Sequence, residues 1–156
     1  MSGVAELASQ LVAIESINPD VVAGGSGELA IARFVAEWCD RAGLDATLSE
    51  PAPGRPNVVA VARGRGGGRS LILNAHTDTV GVAGIIDPFV PRLEGGRLYG
   101  RGSYDMKGSL AACMLANSSS ETAVRMTSPR KSRLPASAVA SMQAARLPFM
   151  SYEPRP

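Results

Sequence analysis

Hydrophobic residues recur every three or four positions near the start of the chain, which is the spacing of amphipathic helices. The pattern predicts a first helix over residues 3–17, ending at Asn18-Pro19 because proline cannot continue a helix. The apolar stripe of this helix consists of Val4, Leu7, Leu11, Ile14 and Ile17. A second helix is predicted to begin at a Ser26 cap and to end before Gly43, a natural helix stop.

The next part of the chain has the pattern of β-strands. Residues 44–48 predict a short strand, and residues 51–56 predict a proline-rich turn. Residues 57–62 and 70–75 are almost continuously apolar and partly β-branched. Such runs are typical of strands in a sheet that is covered on both faces.

A small hairpin and a third helix complete the predicted elements. The hairpin lies within residues 88–98 and turns at Glu94-Gly95-Gly96, and the helix runs from about Lys107 to Leu115. Helices before and after the strands favour an α/β sandwich. The full length of 156 residues suffices for one domain with a hydrophobic core.

The character of the chain changes at about residue 117, so two parts are predicted, 1–116 and 117–156. The first carries 10 Lys and Arg against 12 Asp and Glu, whereas the second carries 6 against 2, together with eight serines and five prolines. Residues 136–147 keep a weak helical pattern, and no strand is predicted in this part. We interpret 117–156 as a disordered basic tail or an out-of-frame translation; a functional basic tail is the alternative.

Charge and cysteine content limit the possible function classes. The net charge of +2 is too small to indicate a nucleic-acid partner or a membrane surface. The Arg- and Gly-rich run at 63–69 is most simply a hairpin turn, with phosphate or nucleic-acid binding as the alternative. Cys39 and Cys113 are interpreted as small buried hydrophobic residues in a reducing compartment. Without a signal-peptide pattern or a long apolar run, a soluble cytoplasmic protein is expected.

The only histidine of the chain, His76, lies where an apolar strand ends. Ligands of α/β sheets collect at the carboxyl ends of strands. Asp78 lies two residues further, on the same face of an extended chain, and can bind the free imidazole nitrogen. Such a bond fixes the tautomer and makes the other nitrogen a better metal ligand. A purely structural histidine is the alternative.

A second carboxylate, Asp105, lies on a glycine-rich loop immediately before the third predicted helix. It is either a helix cap or a metal ligand, because a carboxylate can bridge two ions. Ser103 is not a convincing nucleophile, since the local pattern is G-x-S-x-D and the only histidine has a better role.

Together these segments resemble the N-terminal part of the dinuclear zinc amidohydrolases and metallopeptidases. That family includes aminoacylase, acetylornithine deacetylase, succinyl-diaminopimelate desuccinylase and glutamate carboxypeptidase. The resemblance covers about residues 3–116. The matching segments are His76-Thr77-Asp78-Thr79-Val80, Asp87-Pro88-Phe89 and Leu98-Tyr99-Gly100-Arg101-Gly102-Ser103-Tyr104-Asp105-Met106-Lys107-Gly108.

The resemblance implies a fold, a cofactor and a set of roles. The fold would be a partial three-layer sandwich with a mixed sheet flanked by helices. His76 would bind one of two zinc ions, Asp105 would bridge both, and Asp78 would orient His76; cobalt can replace zinc. The peptide after Asp105 would be cis. The substrate would be an N-acyl amino acid or a small peptide, cleaved at an amide bond.

The family pattern is incomplete in these 156 residues. The resemblance implies a downstream pair of adjacent glutamates and a second histidine, and the sequence contains neither. The smaller dimerisation domain of the family, which forms homodimers, is absent as well. We therefore expect weak or no metal binding and little or no hydrolysis by this chain alone. The alternative is a non-catalytic pseudoenzyme or interaction module built on the half-domain.

Overall fold

The structure is a computed structural model, and it describes residues 3–63 and 69–118 in full and residues 137–143 as backbone. The described residues contain three α-helices: α1 (Gly3–Val12), α2 (Leu29–Arg41) and α3 (Gly108–Ser118). None of the helices in these ranges has the length and apolar character needed to cross a bilayer.

The helix boundaries differ from the sequence pattern in two places. The first helix ends at Val12 rather than near residue 17, because Ile17 instead forms a parallel bridge with Thr79. The predicted Ser26 cap is wrong: its hydroxyl accepts the Ile17 N–H at 3.1 Å, while Glu28 occupies the N-cap position of α2. The predicted stop at Gly43 is confirmed, since this glycine follows the helix with φ of +81°.

In the part of the chain that the structure describes, six strands form two sheets: β1 (Asp45–Ala52), β2 (Arg55–Arg63), β3 (Ser70–His76), β4 (Arg92–Glu94), β5 (Arg97–Tyr99) and β6 (Ser137–Gln143). The larger sheet has the order β1-β2-β6-β3. Its β1–β2 and β2–β6 pairs are antiparallel and its β3–β6 pair is parallel, so the sheet is mixed. The strands β4 and β5 form the predicted small hairpin, which turns at Gly95 and Gly96.

Three strand predictions need correction. The expected turn at 51–56 is mostly strand, because β1 and β2 extend to Ala52 and Arg55 and leave only a tight turn between them. The β2 and β3 strands are not hairpin neighbours, since β6 pairs with both. Residues 137–143 form this strand, although a helical pattern and no strand were predicted there. Residues 64–68 of the Arg- and Gly-rich run lie outside the described residues.

The core lies between the larger sheet and the three helices. Val58 and Ala60 are fully buried, and as residues two apart in β2 they share one face. That face packs against buried side chains of the helices, including Leu11, Ile31, Val35, Leu110 and Met114. The α/β class with helices against a mixed sheet is thus confirmed. The division at residue 116 stays a prediction, because residues 119–136 and 144–156 of the predicted tail lie outside the described residues.

The opposite face of the sheet is open in the part of the chain that the structure describes. Ala75 of β3 is buried against the helices, whereas Ile72, on the other face, is 64% exposed. The almost continuous apolar pattern of this strand had predicted cover on both faces. Within the described ranges the helical layer is present on one face only.

Candidate metal centre

The histidine is placed by the end of β3 and by a parallel pairing that follows it. After His76 the chain runs beside residues 16–18, where the Thr79 N–H donates to the Ser16 carbonyl at 2.8 Å. The Asn18 N–H donates in turn to the Thr79 carbonyl at 2.9 Å. The intervening Asp78 is therefore held rigidly behind the imidazole, and its side chain is buried.

The two imidazole nitrogens of His76 face two different carboxylates. Nδ1 lies 3.1 Å from the main-chain oxygen of Asp78, in hydrogen-bonding geometry, and 3.2 Å from its Oδ1, which is an ion-pair distance. Nε2 lies 2.9 Å from Oδ1 of Asp105. The structure thus brings all three predicted site residues together, although their roles as ligands and orienter remain predictions.

The carboxylate of Asp105 is presented by a short helical turn, Ser103–Lys107, that precedes α3. It is not the cap of this turn, because Gly102 occupies the N-cap position. The Asp105–Met106 peptide is cis, as the family resemblance implies. The sulfur of Met106 accepts the His76 main-chain N–H at 3.3 Å, so the turn is attached directly to the end of β3.

Gly102 allows the loop to approach the histidine segment closely. Its φ of +80° lies in the left-handed region that glycine adopts at little cost. A Cβ atom at this position would lie 2.8 Å from the Thr79 methyl carbon and 3.1 Å from Cδ of Lys107. The glycine is therefore required both by backbone conformation and by space.

Lys107 anchors the turn from inside the protein. Its side chain is 1% exposed, and Nζ donates to the Ile14 carbonyl at 2.6 Å beyond the end of α1. Nζ also lies 5.8 Å from the centre of the Phe89 ring. Burial lowers the pKa of Lys107 to about 8, with Glu15 opposing the shift.

The carboxylates around His76 favour its charged form. The hydrogen bond to Asp78 is the largest cause that raises the pKa of His76 to about 9; Asp105 adds to it and burial opposes it. Burial acts to raise the pKa of Asp78, but the hydrogen bonds from His76 and Asn18 outweigh it and hold the pKa below its ordinary value. At neutral pH the site therefore holds an ionised Asp78 against Nδ1.

A buried polar chain behind Asp78 was not foreseen from the sequence. Asn18 Nδ2 donates to Asp78 Oδ2 at 2.8 Å, and Arg55 Nη1 donates to Asn18 Oδ1 at 2.9 Å. The same Nη1 lies 3.0 Å from Oε1 of Glu28, whose side chain is fully buried. The only sequence signal at Asn18 was the helix end predicted at Asn18-Pro19, which gave no hint of a partner 60 residues away.

The donor atoms open into a cavity of 340 Å³. It is lined by His76, Asp78, Thr79, Val80, Gly100, Arg101, Gly102, Ser103, Tyr104 and Asp105. An imidazole nitrogen and a carboxylate oxygen 2.9 Å apart are a donor set that suits a divalent zinc ion. Across the described residues no group of three His, Cys, Asp or Glu side chains could hold a metal ion. The residues present fit part of a metal site: His76 and Asp105 can act as ligands, and Asp78 is placed to orient the imidazole.

Ser103 lines the same cavity, but the geometry gives it no general base. The two nitrogens of His76 face Asp78 and Asp105. This arrangement agrees with a metal-ligand interpretation of the histidine rather than with a serine nucleophile.

Comparison with known proteins gives the same family as the motifs. Residues 72–124 match the model of the Peptidase family M20/M25/M40. A succinyl-diaminopimelate desuccinylase of Leptothrix cholodnii is 40% identical over 115 residues, an alignment that covers 70% of this chain and 29% of that enzyme. The chain therefore spans less than a third of the length of this relative.

Solved structures share the fold over most of the chain. An M20 family metallo-carboxypeptidase of Sulfolobus solfataricus superimposes with a TM-score of 0.70 at 22% identity, over 92% of this chain and 31% of that one. The YXEP protein of Bacillus subtilis, described as a dinuclear metal-binding peptidase of the M20 family, has a TM-score of 0.54 at 15% identity, over 89% of this chain and 34% of that one. The family model matched over residues 72–124 and the 40% identity to a desuccinylase show that the chain contains part of a Peptidase family M20/M25/M40 domain, and the two solved structures show that it shares their fold.

Proposed function

We propose that residues 3–118 supply the first part of a dinuclear zinc site of an amide-cleaving hydrolase. The observation that carries the proposal is the convergence of His76 Nε2 and Asp105 Oδ1, 2.9 Å apart, on one cavity. In this assignment His76 and Asp105 are metal ligands. Asp78 acts through Nδ1 of the histidine, holding the tautomer that leaves Nε2 to the metal.

When bound, zinc in such a site polarises the scissile carbonyl and lowers the pKa of a coordinated water. The residues of this chain hold the two proposed ligand atoms, His76 Nε2 and Asp105 Oδ1, in a fixed orientation toward the cavity. The pairing of residues 77–79 with 16–18 fixes Asp78, and the Gly102 turn fixes Asp105. Lys107 ties that turn to the segment after α1.

We further propose that the 156 residues alone bind zinc weakly and do not complete hydrolysis. A catalytic zinc ion usually has three protein ligands, and the assignment supplies two, one of them shared. No adjacent glutamate pair occurs in the sequence to provide a general base, and general-base catalysis is worth roughly 10²–10⁴-fold in rate. The reaction therefore needs residues from outside this sequence.

The substrate class proposed for the complete site is an N-acyl amino acid or a short peptide. Identity to desuccinylases, at 40% for the Leptothrix cholodnii enzyme, favours an N-succinylated amino acid. The free thiols Cys39 and Cys113 fit a reducing compartment, so we propose a cytoplasmic location.

Zinc binding by the full 156-residue chain tests the ligand assignment. Isothermal titration with Zn²⁺ is expected to show one weak class of site that His76→Asn and Asp105→Asn each abolish. Asp45→Asn is the matched control, because this carboxylate lies at the start of β1 and is paired with Arg63. Equal zinc binding by all four proteins would refute the assignment.

A hydrolysis assay tests the second part of the proposal. With Zn²⁺ or Co²⁺ added, the purified chain is expected to release no amine from N-succinyl-diaminopimelate or N-acetylornithine. Turnover that disappears in His76→Asn would show that the chain is sufficient, and this result would overturn the proposed dependence on further residues.

A further inference from the structure

Four buried side chains form a continuous hydrogen-bonded chain that ends at the metal-site histidine. From the inside outward they are Glu28, Arg55, Asn18 and Asp78, with exposures of 0, 8, 2 and 6%. The donor–acceptor distances along the chain are 3.0, 2.9 and 2.8 Å. The last member meets Nδ1 of His76 at 3.2 Å.

The central member of the chain must be an asparagine for chemical reasons. Its Oδ1 accepts two hydrogen bonds, from Arg55 Nη1 and from the Asp20 main-chain N–H, each at 2.9 Å. These two donors fix the orientation of the amide, so its NH₂ group must point toward Asp78. An aspartate here would present a second anion to Asp78, and an apolar residue would leave Oδ2 of Asp78 without this donor.

The Arg55–Glu28 pair fixes the asparagine in turn. A buried guanidinium requires a compensating charge, and Glu28 supplies it from a fully buried position 3.0 Å away. The exposed Asp20 carboxylate lies 3.8 Å from the same nitrogen. Because the ion pair is enclosed, Arg55 has one well-defined direction in which to donate to Asn18.

We propose that Glu28, Arg55 and Asn18 are positioning residues that hold Asp78, and through it the imidazole of His76, in the orientation that presents Nε2 to the cavity. The significance for catalysis rests on the proposed function, but the geometric claim concerns His76 alone and can be tested without metal.

Because His76 is the only histidine, its ring signals in a ¹H–¹⁵N spectrum of the full chain are unambiguous. In the wild-type protein without metal we expect a protected Nδ1–H signal. In Asn18→Leu, which keeps the number and branching of the side-chain heavy atoms but removes the donor to Asp78, we expect its exchange with solvent to rise roughly tenfold or more, as the loss of one hydrogen bond implies.

Asn117→Leu is the matched control for this experiment. Asn117 is also buried, and its Nδ2 donates to the Ala60 carbonyl at 3.3 Å, remote from the cavity. It removes one buried amide, whose single bond is to a main-chain carbonyl, and should leave the His76 signal unchanged. An unchanged signal in Asn18→Leu, or equal loss of protection in both variants, would overturn the proposal.

Asn18→Asp provides a second test if the leucine variant fails to fold. It preserves the shape and the acceptor of Arg55, yet it should displace Asp78 by repulsion and weaken Nδ1–H protection. A signal identical to wild type in the folded Asn18→Asp protein would also contradict the proposal. Failure of the wild type to bind Zn²⁺ would contradict the proposed function while leaving these metal-free results as they are.

Discussion

At the scale of the residue, Asp78 is the best-fixed group of the site. One of its oxygens faces Nδ1 of His76 and the other accepts the amide of Asn18. Asp105, by contrast, has a side chain that is 81% exposed and, among the described residues, meets Nε2 of the imidazole. The rigid carboxylate is therefore suited to orienting the ring, and the exposed one to meeting an ion in the cavity.

Asp78→Ala is predicted to weaken zinc binding without removing a ligand. Loss of the partner of Nδ1 frees the ring and its tautomer, and such changes cost roughly 10–100-fold in metal affinity. Titration calorimetry with Zn²⁺ measures the change against Asp45→Ala, an exposed carboxylate that is paired with Arg63. An affinity equal to that of the control variant would show that Asp78 does not orient the histidine.

Cys39 is predicted to make stability fall at alkaline pH. Burial raises its pKa to about 11 from 9.0, with Asp40 adding to the shift. Between these values the unfolded chain has lost the thiol proton while the folded chain retains it, so unfolding becomes more favourable as pH rises. The loss should reach roughly 2 kcal/mol by pH 11.

Denaturant unfolding of the wild type and Cys39→Ala, at several values from pH 8 to pH 11, measures this effect. The alanine variant loses packing at every pH but lacks the thiol titration, so the gap between the two proteins should narrow as pH rises. A constant gap would show that Cys39 keeps an ordinary pKa in the folded protein.

The three candidate site residues that the structure brings together could be selected from the sequence because each belongs to a short local pattern. His76 and Asp78 follow an apolar strand, and Asp105 lies in a glycine-rich loop before a helix. Their positioning partners could not be predicted, because Asn18, Arg55 and Asp78 meet only through tertiary packing. A side chain that bonds a partner 60 residues away leaves no spacing signal.

At the scale of the element, the loop from Gly100 to Lys107 determines where Asp105 lies. The loop is enclosed on two sides, since a Cβ on Gly100 would lie 2.4 Å from Cγ1 of Val12 and one on Gly102 would meet Thr79. Its end is tied down by the bond from Lys107 to Ile14. The position of the second carboxylate thus depends on close packing against α1 and the histidine segment.

Gly102→Ala is predicted to destabilise the protein more than Gly24→Ala. Both glycines have φ of +80°, but a Cβ at Gly24 meets nothing within 4 Å, whereas one at Gly102 would clash with Thr79. Backbone strain costs about 1 kcal/mol in both variants, and crowding adds about 1–3 kcal/mol at Gly102. Urea unfolding measures the free energy of unfolding of both variants. Equal losses of stability would mean that the Gly102 loop shifts to accommodate the added Cβ at little cost.

Lys107→Met is predicted to lower stability by about 1–3 kcal/mol, because the Ile14 carbonyl would lose its buried donor. The variant keeps most of the apolar stem, so packing changes little. Thermal unfolding provides the measurement, with Arg92→Met in the exposed β4 strand as the control. Equal melting temperatures for wild type and Lys107→Met would contradict an anchoring role for the ammonium group.

The elements that the sequence predicted well have strong local signals. The third helix has a periodic apolar pattern. The Glu94-Gly95-Gly96 turn has two adjacent glycines, and both have a positive φ. The prediction of a Ser26 cap was wrong because the Ser26 hydroxyl accepts the Ile17 main-chain N–H instead. This contact forms only in the folded loop. The strand at 137–143 was not predicted, because its own pattern is weakly helical. Its pairing partners, β2 and β3, are distant in sequence.

At the scale of the whole molecule, one layer of helices covers one face of a mixed sheet in the described part of the chain. The metal centre lies at the carboxyl end of β3, next to the turn that begins α3. His76 and Asp105, the two proposed ligands, line the cavity, and the side chain of Asp105 is largely exposed. This is the arrangement expected of an incomplete site that further residues would close.

The central claim is that Nε2 of His76 is a metal ligand oriented by Asp78, and one spectrum tests it most directly. Addition of Zn²⁺ to the ¹⁵N-labelled chain should shift the Nε2 resonance of the only histidine, while Nδ1 keeps its proton and its bonded character. Asp105→Asn should weaken this response. No change at Nε2 at saturating Zn²⁺, or coordination through Nδ1 instead, would contradict the account.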